Sequence, residues 1–442
     1  MLKKWLHKVL PGKHGRGVRK QIIPYAEHRI GADMISFAAE KVVRRLHNEG
    51  FQAYVVGGAV RDLLIGLEPK DYDVATDATP EQVRKIFRRS RIIGRRFQIV
   101  HVMVGPETIE VTTFRGGGNV QQNEHGRIMK DNTYGSIEQD AERRDFTCNA
   151  LYYDPIRQEI LDFHHGTADI RAKKLVMIGN PAARYQEDPV RILRAVRLSG
   201  KLGFEVEKDT AAPIAAYAGR LKQEPVARLF DEIMKVLFSG YAVQCLQQFR
   251  KLGLPEGIHP LLDALLKESS GGIAAKALEN TDRRLRADKS VSVGFVLAAV
   301  LWPQFESRWQ RKISDGMKPA AAMNAAINDF RDDIEKGWGV PQRFSATMRE
   351  IWQFQPSFEH RRGARPHRLL AQSRFRAAYD FLVLRSETGS ADAELAKWWT
   401  AFQHAGEEER NGMTASAPQN PEGSGKRRRR PKKKKLVVVI GE

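Results

Sequence analysis

Apolar positions recur with two periods along the chain, and the change from one to the other gives the first division. Over residues 33–49, Met34, Phe37, Ala38, Val42, Val43 and Leu46 fall on one side at helical spacing, and Gly50 ends the run. Ala53–Val56 then reads as a short apolar strand broken by Gly57-Gly58, and Ala59–Gly66 as a helical segment. Asp71–Val74 predicts a second strand. Thr79 before Pro80 forms an N-cap signal for a helix running towards Phe87. Gln98–Val104 and Thr108–Phe114 are strand-like and joined at Gly105-Pro106, and the Gly- and Asn-rich stretch 116–135 reads as a mobile loop. From about Asp140 helical patterns dominate, from Leu193, Val196 and Leu198 through Leu229, Ile233, Val236 and Leu237. No internal repeat is visible. The polar stretch Ala405–Gly425 reads as a linker.

The pattern predicts an α+β protein, with a small mixed α/β head, a mostly α-helical neck and body, and a disordered basic tail. The expected bounds are 1–25 for a basic amphipathic segment, 26–155 for the head, 156–245 for the neck, 246–404 for the body and 405–442 for linker and tail. In the first segment Leu2, Trp5, Leu6, Val9 and Leu10 alternate with Lys3, Lys4 and Lys8 until Pro11-Gly12. That pattern suits a surface anchor for anionic lipid or RNA, and equally a frayed basic terminus.

Composition narrows the class. A length of 442 residues suggests two to four domains with ample core. Only two cysteines, Cys148 and Cys245, are present, which excludes a disulfide framework and a Cys-based zinc site, and makes the cytoplasm the expected compartment. The best apolar run, near Phe295 to Trp302, is far short of the roughly 20 residues that span a membrane. No signal peptide follows the early lysines. The net charge of +20 points to a polyanionic partner. It is uneven: residues 1–20 and 411–442 carry +7 each, leaving +6 for the folded middle.

The chemistry concentrates in Val55-Val56-Gly57-Gly58-Ala59-Val60-Arg61-Asp62 followed by Lys70-Asp71-Tyr72-Asp73. On a strand, Asp71 and Asp73 project to the same face. Two carboxylates there suit Mg²⁺, and paired ions can activate a hydroxyl and steady a leaving pyrophosphate. The glycines let backbone N–H groups approach phosphate oxygens, and Arg61 could neutralise phosphate charge. Each part alone is commonplace; their order and spacing together are specific.

Val56–Asp62 with Lys70–Thr76 (KDYDVAT) resembles the head motif of the polymerase-β-like nucleotidyltransferases, in the branch of bacterial poly(A) polymerases and bacterial-type CCA-adding enzymes. The resemblance covers residues 25–240 strongly. It implies template-independent nucleotide transfer from an NTP to an RNA 3′ end, with two Mg²⁺ held by Asp71 and Asp73. Ile109–Arg115 resembles the strand whose acid, Glu110, completes the metal site. Arg143-Arg144-Asp145-Phe146-Thr147 resembles the head–neck motif, in which Asp145 is essential and Arg144 meets the nucleotide. Which of Glu110 and Asp145 completes the metal site stays open. Glu187-Asp188-Pro189-Val190-Arg191 resembles the base-reading motif, and Asp188 with Arg191 can imitate a Watson–Crick edge. Arg194 and Arg197 follow Arg191 on one helix side, as RNA contacts or as a solvated face.

Two stretches incline the resemblance towards poly(A) addition from ATP. Ile92–Val102, with Arg95 and Arg96, resembles the poly(A) polymerase version of that segment, and 84–96 holds seven Lys/Arg and no acid, a plausible RNA track. Phe375–Leu382 and Lys397-Trp398-Trp399 resemble the C-terminal helical region of the same enzymes, although the residues themselves read only as core. The expected substrates are ATP and single-stranded RNA 3′ ends, in mRNA processing or decay. The basic ends could meet a membrane surface or RNA-decay proteins. A CCA-adding enzyme and a non-catalytic RNA-binding scaffold are the alternatives.

Overall fold

The computed structural model describes residues 20–94, 98–116, 121–122, 128–130, 133–267 and 271–418. The N-terminal amphipathic pattern, Arg95, Arg96 and the basic tail fall outside the described residues. The chain divides into two compact units, one running to Lys267 and including Thr281–Lys289, the other holding the remainder.

The first unit is built on an eight-stranded sheet. Its strands are β1 (Gln21–Pro24), β2 (Ala53–Val56), β3 (Asp73–Thr76), β4 (Ser90–Ile93), β5 (Ile99–Val104), β6 (Glu107–Thr113), β7 (Leu151–Asp154) and β8 (Glu159–Asp162). Their order is β1-β8-β7-β2-β3-β6-β5-β4. Neighbours are antiparallel except β3 and β6, which run parallel. That pair needs a crossover; it runs through helix α2 (Pro80–Ile86), which starts in a Thr79–Gln82 capping box, and the β4–β5 hairpin. Strands β7 and β8 were not expected. All four residues of β7 are buried, so it shows no alternation to read.

The helix expected over 33–49 is split. Ala32–Met34 is a 3₁₀ turn, and α1 (Phe37–Asn48) begins only after Ser36, whose hydroxyl accepts from Ala39 N. Phe37 therefore falls in the first turn and is 72% exposed, while Ala39, Val42, Val43 and Leu46 are buried. Strand β3 starts at Asp73, which leaves Asp71 in the connection ahead of it rather than on the strand.

Four helices complete the part of this unit that concerns the site: three in the expected neck, α3 (Pro181–Glu187), α4 (Val190–Leu202) and α5 (Val226–Leu237), and α6 (Ala242–Lys251), which runs across the expected neck–body bound. Helices α4 and α6 meet where Gly200 lies against Cys245.

In the second unit the Phe295–Trp302 run lies within α7 (Val293–Ser314), with Val296 to Trp302 buried; among the described residues no helix is long and apolar enough to cross a membrane. Phe305 stacks on Trp352 at 4.0 Å between centroids. Tyr379 and Leu382 are buried as packing residues, with Trp399; Trp398 is half-buried and stacks on Phe402 at 4.8 Å between centroids. Residues 407–416, read above as linker, form helix α8 (Glu407–Ser416). Three glutamates in its first turn favour that helix end, and Thr414 is buried.

Gly200 tests the α4–α6 contact. A Cβ there would stand 2.6 Å from Cys245 Cα, so backbone must move. Gly200→Ala gains about 1 kcal/mol of helix propensity but incurs about 1–3 kcal/mol of overpacking. The expected result is a net loss of stability in urea unfolding.

Candidate active site

The floor of the site is a pair of carboxylates. Asp73 on β3 lies directly opposite Glu110 on β6. Their neighbours Val74 and Val111 are buried, so alternation turns both acids to the open face. Asp73 is reached by solvent, yet its charge is poorly hydrated. Burial first, then repulsion from Glu110 and Asp71, push its carboxyl up to about 6 against the opposing pull of Arg144. His101 Nε2 stands 3.3 Å from Glu110 Oε1.

Clustered carboxylate oxygens with unneutralised charge are the donor set a hard cation requires. Among the described residues no group of three or more His, Cys, Asp or Glu forms a ready metal cluster. Mg²⁺ asks for less, since it keeps waters and substrate oxygens beside one or two carboxylates. Asp73 and Glu110, with Asp71 nearby, therefore fit the ion that the sequence resemblance implies.

The wall beside this floor is made where β2 turns into a short helix. Gly57 has φ of +74°, a conformation that favours glycine, and a Cβ there would meet Arg144 Nη1 at 3.5 Å. Arg61 is buried and committed: Nε and Nη2 donate to Asp62 Oδ1 at 2.9 and 2.6 Å, and Nη1 to Asn149 Oδ1 at 2.5 Å. Arg144 is tied to Asp140 Oδ2 and to the Tyr152 hydroxyl, with its guanidinium 5.0 Å from the Tyr152 ring centre. Both arginines line the cleft, as a fixed frame.

Asp145 holds the head to the neck. Its Oδ2 accepts from Arg194 Nε at 2.7 Å, and its Oδ1 from Phe146 N and Asn149 Nδ2. Burial alone would raise its carboxyl; the Arg194 charge and these hydrogen bonds outweigh burial and hold it at about 2. Arg194 thus faces Asp145 rather than a solvated helix side.

On α3 and α4 the expected base-reading residues both line the cleft but do not pair with each other. Asp188 Oδ2 accepts from Arg228 Nη2 at 2.7 Å, and Arg191 Nη1 donates to Glu187 Oε2 at 2.7 Å. Each keeps unused capacity, since a carboxylate offers about four lone-pair sites and a guanidinium five N–H donors. Arg197 also lines the cleft, and its Nε is buried without a hydrogen-bond partner, as is Glu232 Oε2.

The cleft has a volume of about 620 Å³, the size of a nucleotide site. Sequence reasoning missed Arg228 and Glu232 on α5, and Asp140 and Asn149. Glu232 had a readable signal: it sits within the apolar series Leu229, Ile233, Val236, where a charge needs a reason.

Residues 53–176 match the family described as "Poly A polymerase head domain", residues 203–266 "Probable RNA and SrmB- binding site of polymerase A", and residues 315–434 "Polymerase A arginine-rich C-terminus". The chain is 41% identical over 415 residues to a Salmonella typhi protein named poly(A) polymerase I, covering 90% of this chain and 89% of that one. The Haemophilus influenzae protein of the same name is 41% identical over 405 residues, covering 88% and 90%. A Bacillus pumilus CCA-adding enzyme is 37% identical over 229 residues, covering 52% and 56%. The crystal structure of the Bacillus stearothermophilus CCA-adding enzyme in complex with CTP is similar at a TM-score of 0.55 and 25% identity, over 86% of this chain and 82% of that one.

The crowded carboxylates give a pH-dependent stability. Well below pH 3.8 Asp73 is protonated folded or unfolded, and has no effect. Between its ordinary value of 3.8 and about 6, the unfolded state releases the proton first, so stability falls as pH rises. Above that window the full penalty is present. Asp73→Asn in a chelator should therefore raise the thermal midpoint at about pH 8 and leave it nearly unchanged at about pH 2.8. Mg²⁺ should raise the wild-type midpoint at pH 8 more than that of the variant.

Proposed function

Because the chain belongs to the bacterial poly(A) polymerase I group of the tRNA nucleotidyltransferase and poly(A) polymerase family, we propose that it transfers AMP from ATP to RNA 3′ hydroxyls by a two-metal mechanism, in RNA processing or decay. The observation that carries the mechanism is the paired charge of Asp73 and Glu110 on the floor of an arginine-walled cleft. The 3′ oxygen forms a bond to the α-phosphorus, the bond from that phosphorus to the β,γ-pyrophosphate breaks, and the hydroxyl proton is released.

Asp71, Asp73 and Glu110 would hold the two Mg²⁺, which when bound supply positive charge for the attacking hydroxyl and the leaving pyrophosphate. The chain's own groups do the positioning. Gly57 and Gly58 keep the wall free of side chains where the triphosphate lies. Arg144 borders the same wall, its Nη1 3.5 Å from where a Gly57 side chain would begin, already oriented by Asp140 and Tyr152. Asp188 and Arg191 offer the edge that selects adenine without a template, held by Arg228 and Glu187. Preorientation matters because rotating a charged side chain during the reaction would cost part of the binding energy.

Poly(A) addition is favoured over CCA addition by reach: the poly(A) polymerase relatives match about nine-tenths of the chain, the CCA-adding relative about half. Offering each NTP separately, with a generic RNA and with tRNA lacking its end, tests this. A long tail from ATP alone is expected. Incorporation limited to two C and one A would overturn it. Asp73→Asn should lower kcat on the order of a hundredfold or more, with RNA binding nearly unchanged in a filter assay.

A further inference from the structure

We propose that the acceptor RNA approaches the carboxylates along one row of the head sheet, with Arg91 on the edge strand holding its phosphate backbone. This rests on the polymerase reading above. Asp73 is directly opposite Glu110, Glu110 opposite His101, and His101 opposite Arg91. Directly paired residues share a face, so four adjacent strands present these side chains on the open side of the sheet. On the reverse, Val74, Val111 and Val100 are buried. At about 4.8 Å per strand, the row runs about 14 Å from Asp73 to the edge.

Topology fixes the direction of approach. Gly57 and Gly58 follow β2, which flanks β3 on one side, and β6 with Glu110 flanks it on the other. In-line displacement puts attacking and leaving oxygens on opposite sides of the phosphorus. With the triphosphate on the Gly57–Gly58 side of Asp73, the hydroxyl arrives from the Glu110 side, where the row leads outwards. His101 backs Glu110 along that path with its side chain 30% exposed. Arg91 is exposed at the end of the row. A basic residue on an edge strand also blocks edge-to-edge pairing, and that role would need no RNA.

Steady-state extension of a short single-stranded RNA separates these roles. Arg91→Glu should raise KM for RNA about tenfold and leave KM for ATP within about twofold, while Arg91→Lys should recover most of the loss. The slope of log affinity against log salt should fall by about 0.7 in Arg91→Ala. Arg45 on α1, paired with Glu49 at 2.9 Å, is the control; Arg45→Glu should leave KM for RNA within about twofold. RNA with 4-thiouridine at the next-to-last position should crosslink to the 90–104 peptide. An unchanged RNA KM in Arg91→Glu, an equal rise in Arg45→Glu, or crosslinks confined to the neck helices would each overturn the row. Wild-type protein that extends no RNA would instead overturn the polymerase reading, so the two failures are distinguishable.

Discussion

The ion pair between Asp145 and Arg194 is the constraint on which the geometry of the site depends. It joins a residue of the connection leading to β7 to the first half of the neck helix α4, with the acid 8% exposed. Removing Arg194 would leave the buried Asp145 carboxylate without its counter-charge, whereas Arg194, 36% exposed, could turn to solvent if Asp145 were lost. Arg184 reinforces the junction by donating to the backbone oxygens of Arg143 and Arg144. Once this junction is made, Asp188, Arg191 and Arg197 line the same cleft as Asp73 and Glu110. The neck does not bring its own site; it is clamped where the head's acids need an opposing wall.

The cleft this creates is not a simple sink of positive charge. Eight arginines and seven carboxylates line it. Most of the arginines whose contacts are described above are bound to an acid, which fixes their direction and removes much of their free field. Such a wall can recognise a nucleotide by donor geometry while holding little net charge. The opposite arrangement holds at the floor, where like charges face one another. Such crowding weakens the fold unless a bound cation or a retained proton relieves it.

The sequence carried most of the head. Strand β2, the glycine turn and the Thr79-capped helix follow from local signals that tertiary packing had no reason to override. The motif residues were legible as a set because their order along the chain is itself information. What could not be read was which of them pair. Arg228 is 40 residues from Asp188, and Arg194 is 49 from Asp145. No periodicity reports a contact at that separation. Strands β7 and β8 were lost for a different reason: a short segment buried on both faces has no alternation to distinguish it from a helix core. Phe37 was misjudged because its spacing matched the apolar stripe while the Ser36 cap set the helix start beside it.

The same electrostatics bears on the choice between Glu110 and Asp145 as partner to Asp73. Two acids near one site acquire different roles when their surroundings drive their proton affinities apart. Asp145 is held at about 2, and its two oxygens already accept from a guanidinium, an amide side chain and a backbone N–H. Drawing it to a metal would strip Arg194 of its partner and open the head–neck junction. Glu110 carries no such obligation. Its described neighbour is an imidazole at 3.3 Å, and its charge is one of the causes that raise Asp73. A ligand must be free to give its charge to the ion, and a brace must not. On that ground Glu110 is the acid we assign to the metal site, and Asp145 the one that keeps the site in place.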